Sequence, residues 1–117
     1  SFEEEMAAII SELSHFNGHT EADLLREKWN EDSYSGLSNF LGKIQKIEDW
    51  TAIAIKTGFT RIAEEAAFKA GKLFLPLRIS MTGNAAGPDL MLFMELIGRD
   101  ECRKRLEKCL DTYRELI

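Results

Sequence analysis

Cysteine and proline are nearly missing from this chain of 117 residues, with two of each. Two cysteines allow one bridge at most, which excludes a disulfide-framed secreted module. Cys102 and Cys109 stand seven apart in a helical pattern, about 10 Å along a helix axis. A disulfide needs Cα atoms within about 7 Å, so both thiols are expected to be reduced. With so little proline and only eight glycines, the chain holds little linker material, no low-complexity tract and no internal repeat. It has no apolar run near the roughly 20 residues that span a bilayer. The opening Ser1-Phe2-Glu3-Glu4-Glu5 is acidic and lacks the basic start of a secretion signal. A cytoplasmic location without membrane contact is expected. The chain is expected to be part of a longer protein.

Catalytic signatures are also missing. The sequence carries no Walker-type glycine loop, no Gly-x-Ser-x-Gly elbow and no zinc-type cysteine pair. His15 and His19 have helical ligand spacing, but Asn17-Gly18 between them is expected to break the helix. No metal site is expected, because a tetrahedral site needs three or four converging ligands. The carboxylates Glu3, Glu4, Glu5, Glu64 and Glu65 read as solvated helix faces rather than as an acid–base pair. No catalytic residue is identified.

What is present is an ordinary globular composition, 44% hydrophobic and 30% charged, enough for one domain over residues 1–117. Three-and-four spacing of apolar residues predicts about seven helices and no strands. The first runs from a Ser1/Glu4 capping box to near Phe16, with Phe2, Met6, Ile9, Ile10 and Leu13 inward. Thr20 is expected to cap a second, and Asn30 to Ser33 to form a turn. Leu37, Phe40, Leu41, Ile44 and Ile47 mark a third. Asp49 or Thr51 caps a fourth, through Ile55, Phe59 and Ile62 to Ala67, which Ala70-Gly71 should close and Gly58 should weaken. Pro76 begins a short helix that Gly83 ends. Pro88 begins another that Gly98 ends. Asp100 should cap the last, with Cys102, Leu106, Cys109, Leu110 and Tyr113 inward. The fold class is all-α, a compact multi-helix bundle with several short helices.

Net charge is −5, which argues against a general nucleic-acid binder, including DNA. The balance is uneven. Residues 1–68 hold 6 basic and 13 acidic side chains, whereas residues 69–110 hold 8 basic and 5 acidic. Basic character is concentrated in one limited segment, the pattern expected of a domain that touches phosphates over part of its surface.

That segment contains Gly71-Lys72-Leu73-Phe74-Leu75-Pro76-Leu77-Arg78-Ile79-Ser80-Met81-Thr82-Gly83, then Gly87-Pro88 and Leu90. Upstream lies Glu48-Asp49-Trp50-Thr51-Ala52, followed by Ala63-Glu64-Glu65. Downstream lie Gly98-Arg99-Asp100-Glu101 and Arg103-Lys104-Arg105-Leu106-Glu107-Lys108. With this spacing, residues 48–110 resemble the C-terminal anticodon-binding domain of bacterial-type glutamyl-tRNA synthetases, class I aminoacyl-tRNA synthetases. That family carries Gly-Lys-Leu-Phe-x-Pro-Leu-Arg-Val-Ala-Leu-Thr-Gly. Residues 1–47 are compatible as N-terminal helices of the same bundle but carry no motif, so residues 48–117 form the motif-bearing part.

The resemblance implies an α-helical cage that grips the anticodon loop of tRNA(Glu), with tRNA(Gln) as a further partner. Its bases would be unstacked and read singly, the usual way loop RNA is read. The resemblance makes Arg78 an anticodon contact, suited by its five donors and flat face to a base edge or a phosphate. It places Gly87, Pro88 and Leu90 at a helix start where backbone and side chains meet a base. Family members with Thr before that proline would add a hydroxyl contact that Gly87 cannot make. Lys72, Arg99, Arg103, Lys104 and Arg105 are candidate phosphate contacts, which set affinity without reading sequence. Trp50 is expected in the core rather than as a stacking face. The ATP- and Mg²⁺-dependent joining of glutamate to tRNA would belong to a catalytic domain of the same synthetase. Its His-Ile-Gly-His and Lys-Met-Ser-Lys-Ser motifs are absent here, so this chain needs no cofactor of its own. The alternative is a helical module, derived from a synthetase, that binds a protein partner. Salt separates the two readings, since phosphate binding weakens steeply with salt and an apolar interface does not.

Overall fold

A computed structural model describes the backbone of residues 1–15 and 18–117, and the side chains outside residues 10–22. Among the described residues there are seven α-helices and no strands. They are α1 (Phe2–His15), α2 (Gly18–Lys28), α3 (Glu31–Lys43), α4 (Ala52–Glu65), α5 (Phe74–Thr82), α6 (Leu90–Ile97) and α7 (Arg99–Leu116). Short 3-10 turns follow α3, over Ile44–Lys46, and precede α5, over Ala70–Lys72.

The ends follow local chemistry, with corrections at several of them. The Ser1 hydroxyl accepts from the Glu4 amide, and Glu4 reaches back to the terminal ammonium, closing the expected box. The expected stop at Phe16-Asn17 and the inward places of Ile10 and Leu13 lie outside the described residues. Phe2 is exposed rather than inward. Thr20 lies inside α2, which already starts at Gly18. The expected turn at Asn30–Ser33 is a helix start, because Asn30 caps α3 in a reciprocal box with Ser33. Helix α4 is capped by Thr51, which accepts from the Ala54 amide. It ends at Glu65, five residues before the expected stop. The Phe68 amide reaches the Ala63 carbonyl at 2.9 Å and the Ala67 amide reaches Glu64. That closes a Schellman-type turn with Ala67, not glycine, at φ 64°. Helix α6 begins at Leu90 rather than Pro88, because Asp89 caps it by accepting from the Leu92 amide. Helix α7 begins at Arg99, so Asp100 is inside it rather than capping it.

Gly58 does not break α4. A Cβ there would lie 2.6 Å from Ile47 Cγ1. The glycine lets the segment after α3 pass against the helix, a packing need that outweighs its propensity cost of about 1 kcal/mol.

The core lies between α3, α4, α5, α6 and α7, with α2 packed on α5 and α7. Phe40 meets Phe59 edge-on at 4.7 Å between ring centroids, and Phe59 meets Phe74 at 5.3 Å. Trp29 packs against Tyr113 and donates its indole N–H to the Pro76 carbonyl at 3.3 Å. Cys102, Leu106, Cys109, Leu110 and Tyr113 form the expected inner face of α7, and both cysteines are buried. Burial raises the Cys102 thiol from its ordinary 9.0 to about 12, with Arg105 opposing the rise and Glu101 adding to it. No helix among the described residues is long and apolar enough to cross a membrane.

Candidate functional site

Helix α5 is almost wholly consumed by the core. Pro76, Leu77, Ile79, Ser80, Met81 and Thr82 are buried. Pro76 is the third residue of the helix, where a missing N–H costs no hydrogen bond. Ser80 donates back to the Leu77 carbonyl at 2.7 Å, so its burial leaves no polar atom unmet. The Thr82 hydroxyl donates to the Arg78 carbonyl and accepts from the Asn84 amide. Gly83 then turns the chain at φ 76°, a conformation that costs glycine little. The 71–83 run is therefore a corner, and its outward side chains after the 3-10 turn are Leu75 and the partly buried Phe74 and Arg78.

The corner faces the start of α4, which a second set of bonds holds in place. The Trp50 indole N–H donates to the Met94 carbonyl at 2.8 Å, and Glu95 accepts from the Ala52 amide at 2.6 Å. Arg99 donates through Nη2 to the carbonyls of Ile47 and Glu48, and its guanidinium stacks 5.1 Å from the Trp50 ring centre. The 47–52 linker is thus clamped to the α6–α7 junction. Trp50 packs against the core, as its type favours.

Between these parts lies a pocket of about 560 Å³. Helix α4 supplies Ala52, Ile53 and Lys56, α5 supplies Phe74, Leu75 and Arg78, and the start of α6 supplies Asp89, Leu90 and Met91. Leu90 and Met91 form buried apolar floor, while Ile53 is 82% exposed. Lys56 and Arg78 bring donors and positive charge. The Asp89 carboxylate is already engaged as the α6 cap, and its backbone N–H donates to Glu5 of α1. Arg78 makes no side-chain hydrogen bond or ion pair among the described residues, and its Nη1 is buried without a partner. A buried donor left unmet costs about 1–3 kcal/mol, more when charged. A bound acceptor would recover that cost.

The structure brings Arg78 and Leu90 into one pocket. Pro88 is half-buried and Gly87 exposed in the loop just before it. The other basic candidates stand elsewhere. Lys72 and Lys104 are exposed, and Arg103 pairs with Glu107 at 2.9 Å. Arg105 donates to the Met81 carbonyl at 2.6 Å and to Glu101, and lies 5.6 Å over the Phe93 ring. Arg99 and Arg105 therefore bind backbone that the fold must hold, and Arg99 also keeps a buried Nε without a partner, away from the Arg78 pocket. Sequence reasoning missed Ile53 and Lys56. The available signal was Ile53 itself, an isoleucine off the Ile55–Phe59–Ile62 stripe, with a lysine one turn later. The side chains of His15 and His19 lie outside the described residues. Among those described, no group of three or more His, Cys, Asp or Glu converges.

Comparison with known proteins bears on the same segment. The anticodon binding domain family matches residues 4–110. The match includes the first half of the chain, where no motif was legible. A glutamate–tRNA ligase of Neisseria meningitidis serogroup A is 34% identical over 87 residues, covering 74% of this chain and 18% of that protein. Glutamate–tRNA ligase 1 of Caldicellulosiruptor saccharolyticus is 36% identical over 88 residues, with the same two shares. The glutamate–tRNA ligase of Bacillus subtilis is 37% identical over 71 residues, covering 61% of this chain and 15% of that protein. The chain spans less than a fifth of the length of these relatives.

Proposed function

This chain belongs to the anticodon-binding domain family, and from that premise we propose that it binds the anticodon loop of a glutamate tRNA. It would do so as one part of a longer glutamate–tRNA ligase. The observation that carries the reading is the pocket in which Arg78 holds a buried donor without an acceptor. Apolar Leu75, Leu90 and Ile53 offer contact to the faces of an unstacked base, and Arg78 offers donors to its acceptor edge. Single-stranded loop bases are recognised by this combination of face contact and edge hydrogen bonds. Gly87 and Pro88 are assigned to the rim of the same site. Lys72, Arg103 and Lys104, which face solvent in whole or part, are assigned to phosphates. Arg99 and Arg105 are assigned chiefly to holding the fold.

Attachment of glutamate, with its ATP and Mg²⁺, is assigned to a catalytic part of the longer protein. No catalytic step is assigned to this chain. Discrimination against tRNA(Gln) is likewise left to the remainder. The family match and the basic pocket give no support to a protein-binding role in place of RNA.

The test is binding to an anticodon stem-loop carrying pyrimidine-U-C, against the same stem with a scrambled loop. The native chain should prefer the first, and Arg78→Ala should lose the preference while keeping its helical circular dichroism. Equal binding of both loops by the native chain would overturn the reading.

A further inference from the structure

Helix α4 carries a second concavity that adjoins the first. Lys56 lines both. From Lys56 a shallow groove of about 480 Å³ runs along the outward face of α4 past Thr57, Thr60 and Arg61 to Glu64 and Glu65. Lys56, Thr57 and Arg61 are exposed and Thr60 partly so. Among the described residues, neither Lys56 nor Arg61 forms a salt bridge or a side-chain hydrogen bond, although Glu65 stands one turn beyond Arg61. This half of the molecule is otherwise acidic. Two of its six basic residues nevertheless share one groove that opens from the Arg78 pocket.

We propose that this α4 face is a phosphodiester track, in which Lys56 and Arg61, with the hydroxyls of Thr57 and Thr60, hold the backbone of the nucleotide beside the base in the Arg78 pocket. The inference rests on the RNA reading above. A base turned into a pocket carries its own phosphate to the pocket's mouth, and the next phosphate must lie one nucleotide step away. Lys56 stands at that mouth. Arg61 lies five residues on, about 7.5 Å along the helix axis and about 140° around it, so the strand would cross the α4 face obliquely from one cation to the other. A threonine beside each cation supplies a donor for a phosphate oxygen, as protein contacts to nucleic-acid backbone commonly do. Glu64 and Glu65 end the track with negative charge, so the strand must leave α4 before them. The track reads no sequence. It sets the direction in which the strand enters the pocket.

The experiment measures stem-loop binding as a function of salt for the native chain, Lys56→Gln, Arg61→Gln and Arg78→Ala, with circular dichroism confirming each fold. Both glutamine variants should weaken the pyrimidine-U-C and scrambled loops by similar factors, roughly 3- to 10-fold at low salt. The slope of log affinity against log salt should become shallower by about 0.7 for each single-strand phosphate lost. Arg61→Lys should keep the native slope. Native salt slopes in both glutamine variants, alongside lost loop preference in Arg78→Ala, would overturn the track and leave the pocket standing. A larger loss for one loop than the other in Arg61→Gln would also overturn it, because that result assigns Arg61 to base reading. Absence of native binding to either loop at low salt would overturn both proposals.

Discussion

Arg78 on α5 and Arg105 on α7 are the same residue type, both half-sunk in the same basic segment. Their surroundings differ. Arg105 spends its donors on Glu101 and the Met81 carbonyl and covers Phe93, so it fastens α7 to the end of α5. Arg78 lies on the helix thus fastened and keeps a buried Nη1 without a partner. The difference is one of hydrogen-bonding partners, which positive charge alone does not reveal, and the proposed RNA contact rests on the donor left unmet beside a pocket. Charge alone ranks the two arginines equally, whereas their partners separate one that is tied to the fold from one that is not.

Substitution at each side should break or sharpen that contrast. The largest effect is expected for Arg78→Ala, a loss of about 10- to 100-fold in affinity for the pyrimidine-U-C loop. That corresponds to one or two charge-assisted hydrogen bonds. Its thermal midpoint should hold or rise, since the change removes an unmet buried donor, and a large fall would move Arg78 to the scaffold class. Arg105→Ala should do the reverse. It strands the Met81 carbonyl and should cost about 1–3 kcal/mol in urea unfolding, with loop preference retained in the folded fraction. Gly58→Ala should cost a similar or smaller amount, about 1–3 kcal/mol. Its new methyl meets Ile47, on the linker that Arg99 clamps. Unchanged stability there would show that the linker yields easily and that the clamp is loose.

The smallest effect concerns Cys102, on the scaffold side. Its native thiol is raised to about 12 from 9.0, so below pH 9 both folded and unfolded thiols are protonated and pH changes nothing through it. Above about pH 9 the unfolded thiol ionises while the native one keeps its proton. Stability should therefore fall as pH rises from 9 towards 12, by up to about 1.4 kcal/mol per pH unit. Cys102→Ser should remove that slope in alkaline urea titrations. A slope that survives the substitution would assign it to other groups.

The sequence showed the helical elements well because their apolar spacing is local. The inner face of α7 was legible residue by residue, and so was the Gly83 turn, while the α4 cap was narrowed to Asp49 or Thr51, of which the structure uses Thr51. Ends were missed where a polar side chain did the capping or an unexpected residue took the turn. Asn30 and Ser33 looked like a loop because cap residues and turn residues are the same types. Ala67 was passed over because alanine rarely adopts a left-handed conformation. Phe68, partly buried against the core, accompanies the turn there. Of the candidate site, Arg78 and Leu90 were legible through the family resemblance, while Lys56 and Ile53 were not. They stand 22 and 25 residues before Arg78 in the chain, and no spacing rule reaches that far.

Composition and periodicity decided that this chain is helical, that α7 turns one face inward and that basic residues gather after residue 68. Each of these depends on neighbours within a turn or two, or on simple counts. Which arginines are free to meet a ligand was decided only when distant carbonyls at Ile47, Glu48 and Met81 came within hydrogen-bonding reach of Arg99 and Arg105. A donor's availability depends on what is packed against it, and packing joins residues that the chain keeps far apart.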